Sequence, residues 1–361
     1  MEKKQKYFFN HLDSLRGIAA ITIVLFHSPF QNSFLTDNPF VKNGGLMVDF
    51  FFVLSGFVIS YTYSDRINNY KNLIQFQYKR FLRLYPLHIL TFSAFLFLYL
   101  TEFVKDYFFD PGGQFINLSL YKADFFHNLF LTHNIFRGSN LFNGPSWSIS
   151  TEFYTYLFFG LLTLILKNKI YSIIAYIFII LTSIILIQAY SSLNTNDEFA
   201  LLRCFYSFFL GALLYKLFPK VHSNNNSIFA ISSIFFVTIF VMFHPENISF
   251  IFPILCVFLI YFTNTSKTNF ILVILKSKPL TFLGKISYGI YLIHYPLVYF
   301  YKAVIANPDT AVATVLQTEP SGTYDTINNL IYLSVVIVLS SISYLYFESF
   351  FYKSSYIKSK K

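Results

Sequence analysis

Arg16 and His27 lie eleven residues apart in LDSLRGIAAITIVLFH. At about 100° per residue that spacing is roughly three turns plus 20°, so one helix face carries both, about 16 Å apart along the axis. Arg16 falls at the inner end of an apolar run, and His27 well inside it toward the outer half. A neutral imidazole there suits a general base that takes a hydroxyl proton, and equally a structural histidine bonded to a neighbouring carbonyl. Arg80 and Arg83, in KRFLRLYP, share one side of a helix if helical. A guanidinium pair makes a phosphate clamp, and the same two residues serve as simple anchors at a membrane surface.

Three further groups carry polar atoms into apolar surroundings. Ser148 and Glu152 are four apart in WSISTEFY and share a face; a carboxylate entering an apolar helix needs a partner. Trp147, the single tryptophan, reads as an interfacial anchor or a substrate contact. Ser287, Tyr291 and His294 fall at offsets 0, 4 and 7 in GKISYGIYLIHYP, a polar stripe beside a second one of Tyr288 and Tyr295. Asp49 opens DFFFVLSGF near an outer end, placed to orient a histidine, bind substrate or face water; Ser55 and Gly56 behind it are small enough for close helix packing. Glu348 closes the last apolar run.

The other histidines say less. His88 follows the arginine pair, His127 and His133 sit in an outer segment within reach of an acceptor, and His11, His222 and His244 read as loop residues. Cys204 and Cys256 lie in apolar runs and read as small buried hydrophobes. No His, Cys and carboxylate set has metal-ligand spacing, so no metal is expected, and the chain has no P-loop, dinucleotide glycine fingerprint or GxSxG elbow.

The elements that must hold these groups are set by composition. The 361 residues are 55% hydrophobic and only 12% charged, against about 25% charged in an average soluble domain. A soluble enzyme, a disordered chain and a secreted disulfide scaffold are excluded. The 48 Phe and 28 Tyr suit lipid contact and the headgroup zone. The net charge of +10 flanks apolar runs, which reads as membrane topology and not nucleic-acid binding. Asp13 and Arg16 interrupt the start and no small-residue cleavage site follows, so no cleavable leader is expected.

Ten apolar runs, at 17–36, 50–64, 84–101, 153–166, 170–196, 204–215, 223–245, 247–266, 286–301 and 326–347, predict about ten transmembrane helices. With both termini in the cytoplasm, Lys42, Lys105, Lys122, Arg137, Arg203 and Lys302 are the six basic residues left outside, and the other 21 of 27 fall inside. The positive-inside rule supports that arrangement. It puts 65–83 in an inner connection and 105–145 and 306–325 outside, with a short interfacial or re-entrant helix at Phe125–Phe136 and a tight inner turn at Asn224–Asn226. The expected fold is an all-α polytopic integral membrane protein, multi-pass in a bacterial-type inner (plasma) membrane. Residues 1–353 form one membrane domain and 354–361 a short basic cytoplasmic tail.

The order LDSLRGIAAITIVLFH, DFFFVLSGF, RFLRLYP, WSISTEFY and GKISYGIYLIHYP, on this topology, resembles the acyltransferase 3 family of integral-membrane acyltransferases, from about residue 11 to about 350. The resemblance implies a ten-helix domain that takes an acyl group, usually acetyl, from cytoplasmic acyl-CoA and places it on sugars of surface polysaccharides such as O-antigen, or on a lipid-linked glycan. It implies His27 as catalytic base and functional roles for Arg16, Arg80 and Arg83, the last two toward CoA phosphates; beside these, Glu152 is expected with His27 and Arg16 at the catalytic centre, and Tyr291 and Ser287 toward the donor. Asp49, Trp147, Ser148 and His294 then fall to the acceptor. The expected partners are acyl-CoA, the glycan and membrane lipid, with no nucleic acid. FESFF departs from the family, whose members commonly have proline where Phe350 stands, which weakens the transfer of Glu348. A polysaccharide-lipid flippase is the runner-up, and a glycan polymerase a third reading. Transporters often carry repeated halves, and no repeat is evident here.

Overall fold

The structure, a computed structural model, describes residues 9–109, 118–135, 142–190, 199–219, 227–243, 248–266, 269–302 and 322–351. The expectations for His222, His244, the Asn224–Asn226 turn and the tail at 354–361 lie outside these residues. Among the described residues the regular structure is helical: α1 Asn10–Phe26, α2 Pro39–Lys42, α3 Met47–Tyr63, α4 Tyr70–Phe109, α5 Leu118–Leu129, α6 Trp147–Ile165, α7 Lys169–Tyr190, α8 Ala200–Leu217, α9 Ser227–Phe243, α10 Ile251–Thr265, α11 Phe270–Leu275, α12 Lys278–Phe300 and α13 Gly322–Ile342. Each of the ten apolar runs overlaps one of these helices, though not every run is helical along its whole length.

Among the described residues six segments are long and apolar enough to cross a bilayer: Gly44–Tyr63, Tyr70–Thr101, Gly144–Ile165, Lys169–Ala189, Ala200–Leu217 and Asp325–Phe351. α9 and α10 are apolar but shorter. The chain is a membrane protein on this evidence. Burial separates two kinds of span. The α3 window is 72% buried and the α8 window 61%, whereas the α7 window is 28% buried and that of Asp325–Phe351 22%. α3 and α8 therefore form the interior, and α7 and α13 turn rows of exposed Ile, Leu and Phe outward, as a lipid-facing helix does.

Three expected boundaries are corrected. The run 17–36 is not one helix. α1 starts earlier, at Asn10, and stops at Phe26, because Pro29 disfavours helical backbone at Ser28. His27 is thus the residue that caps α1, not one inside it. The connection 65–83 is helical from Tyr70 onward, so Arg80 and Arg83 stand within the forty-residue α4, ahead of Pro86. The helix expected at Phe125–Phe136 begins and ends earlier, as α5.

Two close helix crossings lock the bundle. A Cβ on Gly56 of α3 would overlap the Phe208 carbonyl of α8, and one on Gly211 would overlap that of Val53. α1 and α12, which pack extensively, meet at Gly17 and Gly284, where a Cβ on Gly284 would overlap the Asp13 carbonyl. Small residues let backbones approach this closely where lipid supplies no hydrophobic drive between helices. His27 and His294 each follow their crossing glycine by ten residues and also meet, so α1 and α12 run parallel.

Candidate active site

A cavity of ≈ 250 Å³ opens between α1, α3, α4, α6 and α12. Seven of the expected site residues line it: Arg16, Arg80, Arg83, Ser148, Glu152, Ser287 and Tyr291. Their helices explain why. Arg80 and Arg83 share one face of α4, Ser148 and Glu152 one face of α6, and Ser287 and Tyr291 one face of α12.

Charge in the cavity is unbalanced. Three guanidinium groups line it against one carboxylate, Glu152. Asp13 reaches Arg16 at 3.3 Å, one turn away on the same helix. Arg80 donates from Nη2 to the Tyr63 hydroxyl at 3.3 Å and lies against the Tyr63 and Tyr156 rings, 5.3 and 5.8 Å from their centroids. Its Nε–H is buried and has no acceptor among the described residues. A buried orphan donor calls for an acceptor, and three guanidinium groups around one cavity favour an anionic one.

Glu152 is tied in by a relay that the sequence reading missed. The Tyr156 hydroxyl donates to the Glu152 carboxylate, and Ser55 Oγ lies 2.7 Å from the Tyr156 oxygen. Tyr156 has only one proton to give, so Ser55 is the donor in the second contact. The signal was available, since Tyr156 follows Glu152 by four residues, just past that motif.

Across the cavity, the Ser148 and Tyr291 oxygens are 2.8 Å apart, and both hydroxyls reach the Pro145 carbonyl, at 3.1 and 2.8 Å. One turn beyond Tyr291 on α12 comes His294, with ring centroids 6.1 Å apart. His294 Nε2 is 3.2 Å from His27 Nδ1. His27 and His294 are not among the cavity-lining residues; they stand behind Tyr291, which is. His294 is fully buried and His27 half-buried, with Tyr295 edge-on to the His27 ring at 5.7 Å.

Pro296 interrupts α12 beside this pair. Proline removes the N–H that would bond the carbonyl four residues back, that of Leu292. Asn143, just ahead of α6, supplies the missing donor: its Nδ2 reaches the Leu292 oxygen at 3.1 Å. Tyr332 of α13 donates to the His294 carbonyl at 3.1 Å.

Asp49 and Trp147 are not among the cavity-lining residues. Asp49, with no exposed surface, receives Arg203 and also accepts from Ser207 at 3.0 Å. Arg203 in turn lies 5.2 Å from the centroid of the Trp147 ring, which packs on Phe52. These residues form the wall behind Ser148. Glu348 is buried on a π-helical turn, Ser343–Glu348, and accepts from Ser343 at 3.2 Å. His88 and His133 stack in parallel, 5.9 Å apart, away from the cavity lining. Among the described residues no group of three or more His, Cys, Asp or Glu side chains is arranged to hold a metal ion.

Three comparisons bear on this arrangement. A family model described as an acyltransferase domain matches residues 9–348. The Putative acetyltransferase ORF330 of Acidianus two-tailed virus is 27% identical over 303 residues, which are 80% of this chain and 83% of that protein. Protein 2 in picA locus of Rhizobium radiobacter is 39% identical over 85 residues, 23% of this chain and 41% of its own length. No solved structure matches the chain.

Proposed function

The chain belongs to the acyltransferase domain family matched over residues 9–348, and on that premise we propose that it is a membrane O-acyltransferase. It moves an acyl group, acetyl by the family's habit, from cytoplasmic acyl-CoA to a hydroxyl of a surface polysaccharide or lipid-linked glycan. Residues 1–353 act as one membrane domain, in a bacterial-type inner membrane. The observation that carries this reading is a cavity that gathers Arg16, Arg80 and Arg83 with Glu152, Ser148 and Tyr291, while the His27–His294 pair stands one helical turn past Tyr291, outside the lining.

The roles follow from the chemistry of the lining. Arg80, with its orphan Nε–H, and Arg83 take the donor's phosphates. Arg16, within electrostatic reach of Arg83 and Glu152, extends that positive field toward the reacting end. Ser287 and Tyr291 line the path of the donor's acyl arm. His27 is the half-exposed member of the imidazole pair and takes the proton of the acceptor hydroxyl while that oxygen attacks the thioester carbonyl. The C–S bond then breaks, the thiolate leaves with the proton held by His27, and the products are the ester and free CoA thiol. Ser148 and Tyr291 stand nearest as hydroxyl donors for the charge that builds on the carbonyl oxygen. No covalent intermediate on the protein is required.

The test is transfer itself. Protein purified into lipid nanodiscs, given labelled acetyl-CoA and a glycan acceptor, should release free CoA and leave label on the glycan in equal amounts. Movement of a lipid-linked glycan across a bilayer without CoA release would replace this reading with the flippase.

A further inference from the structure

We propose that His294 is a positioning residue that fixes the tautomer of His27 and so makes His27 Nε2 the basic nitrogen. The inference rests on His27 being the base and adds how one of its two nitrogens is selected.

The argument is one of donors and acceptors. His294 Nδ1 lies 3.2 Å from the Ile290 carbonyl oxygen, and His27 Nδ1 lies 3.1 Å from that of Ile23. A carbonyl only accepts, so each Nδ1 carries the proton. A neutral imidazole with a proton on Nδ1 has its lone pair on Nε2. The His294 lone pair therefore sits at Nε2, the atom 3.2 Å from His27 Nδ1. The His27 Nδ1–H is shared between the Ile23 oxygen and that lone pair, and all three contacts are satisfied by one assignment. The reverse tautomer of either ring breaks at least one of them.

Two consequences follow. In the resting state His27 presents a bare Nε2 to the hydroxyl it must deprotonate. After proton transfer the His27 imidazolium still has an acceptor for its Nδ1–H, because His294 offers only a lone pair at that edge. His294 has no exposed surface and cannot meet an acceptor sugar directly. Its position is held from both sides, by Tyr332 on its own carbonyl and by Asn143 on the carbonyl of Leu292, two residues before it. The arrangement does for His27 what a buried acceptor does for the imidazole of a hydrolase triad, where the wrong tautomer costs about 10⁴-fold in kcat.

Two amide variants make the test. In His294→Gln the amide oxygen reaches the position of Nε2 and keeps the acceptor for His27. In His294→Asn it reaches only the position of Nδ1 and loses that acceptor. The two are alike in polarity and differ in where the acceptor stands. Kinetics in nanodiscs should show His294→Gln within about 10-fold of wild type, and His294→Asn and His294→Leu lowered by about 10²-fold in kcat or more, with the KM for acetyl-CoA unchanged. His294→Leu combined with His27→Ala should be no slower than His27→Ala alone, since residues that act through one another are not additive. Equal kcat in the Gln and Asn variants would overturn the proposal, as would a raised acceptor KM at wild-type kcat, or a double variant slower than His27→Ala by the full His294→Leu factor. If His27→Ala itself keeps wild-type activity, the failure belongs to the choice of base, and His294 falls with it. If His27→Ala is inactive and His294→Leu is not, only the positioning role is lost.

Discussion

Asp49 and Arg203, 154 residues apart in the chain, close a bidentate ion pair in the bundle interior: Nε lies 3.2 Å from both carboxylate oxygens and Nη2 2.7 Å from Oδ2. Neither side chain is more than 3% exposed. Removal of one partner leaves a bare charge in an apolar interior, which costs about 3–5 kcal/mol. Arg203→Ala should therefore lower the thermal unfolding midpoint in detergent sharply. Asp49→Leu with Arg203→Met, which removes both charges at similar volume, should recover most of that loss. A double variant no more stable than Arg203→Ala would show that the pair is not the cause.

His27→Ala should reduce kcat by about 10²–10⁴-fold, the usual contribution of a general base. The protein should still reach the membrane and elute as one species, because His27 only caps α1 and its partner is a second uncharged ring. Near wild-type turnover by purified His27→Ala would end its assignment as base.

Arg80→Ala and Arg83→Ala should act on the donor. Each removes a charge-assisted contact worth about 1.5–3 kcal/mol, or roughly 10- to 150-fold in KM for acetyl-CoA. The effect should shrink with dephospho or pantetheine-only donors, which lack the phosphates. Altered acceptor kinetics at an unchanged acetyl-CoA KM would refute the assignment.

Sidedness can be read with an impermeant thiol reagent on intact cells. In a background without Cys204 and Cys256, a cysteine at Asn140 should label and one at Ser64 should not. The opposite pattern would turn the bundle over and put Arg80 and Arg83 on the wrong side for cytoplasmic CoA.

Gly284→Ala should be costlier than its size suggests. The new methyl would overlap the Asp13 backbone, which has no rotamer to move. Overpacking of this kind costs about 1–3 kcal/mol in stability. It should also lower kcat while sparing the KM for acetyl-CoA. Wild-type kcat in a folded Gly284→Ala protein would uncouple the crossing from the imidazole pair.

Apolar runs and charge placement made the helices legible, because a bilayer demands both. Residues three or four apart, such as Arg80 and Arg83 or Ser148 and Glu152, were readable as neighbours, and the structure lines one cavity with them. Partners on different helices were not. Nothing in the spacing of Asp49 and Arg203, or of His27 and His294 at 267 residues, announces that they meet. Sequence could say only that a buried ion needs a counter-ion. The end of α1 was hidden for another reason: the chain stays fairly apolar through Phe34 and Leu35, so hydropathy continued where Pro29 had already stopped the helix.

The crossing of α1 and α12 carries two equal arms. Ten residues separate Gly17 from His27 and Gly284 from His294, about 15 Å on each helix. A relative tilt of about 4° at the crossing would open the 3.2 Å nitrogen contact by about 1 Å and sever it. The close packing of Gly17 against Gly284 consequently sets a nitrogen contact nearly three turns away, and any slack at the crossing would be magnified there.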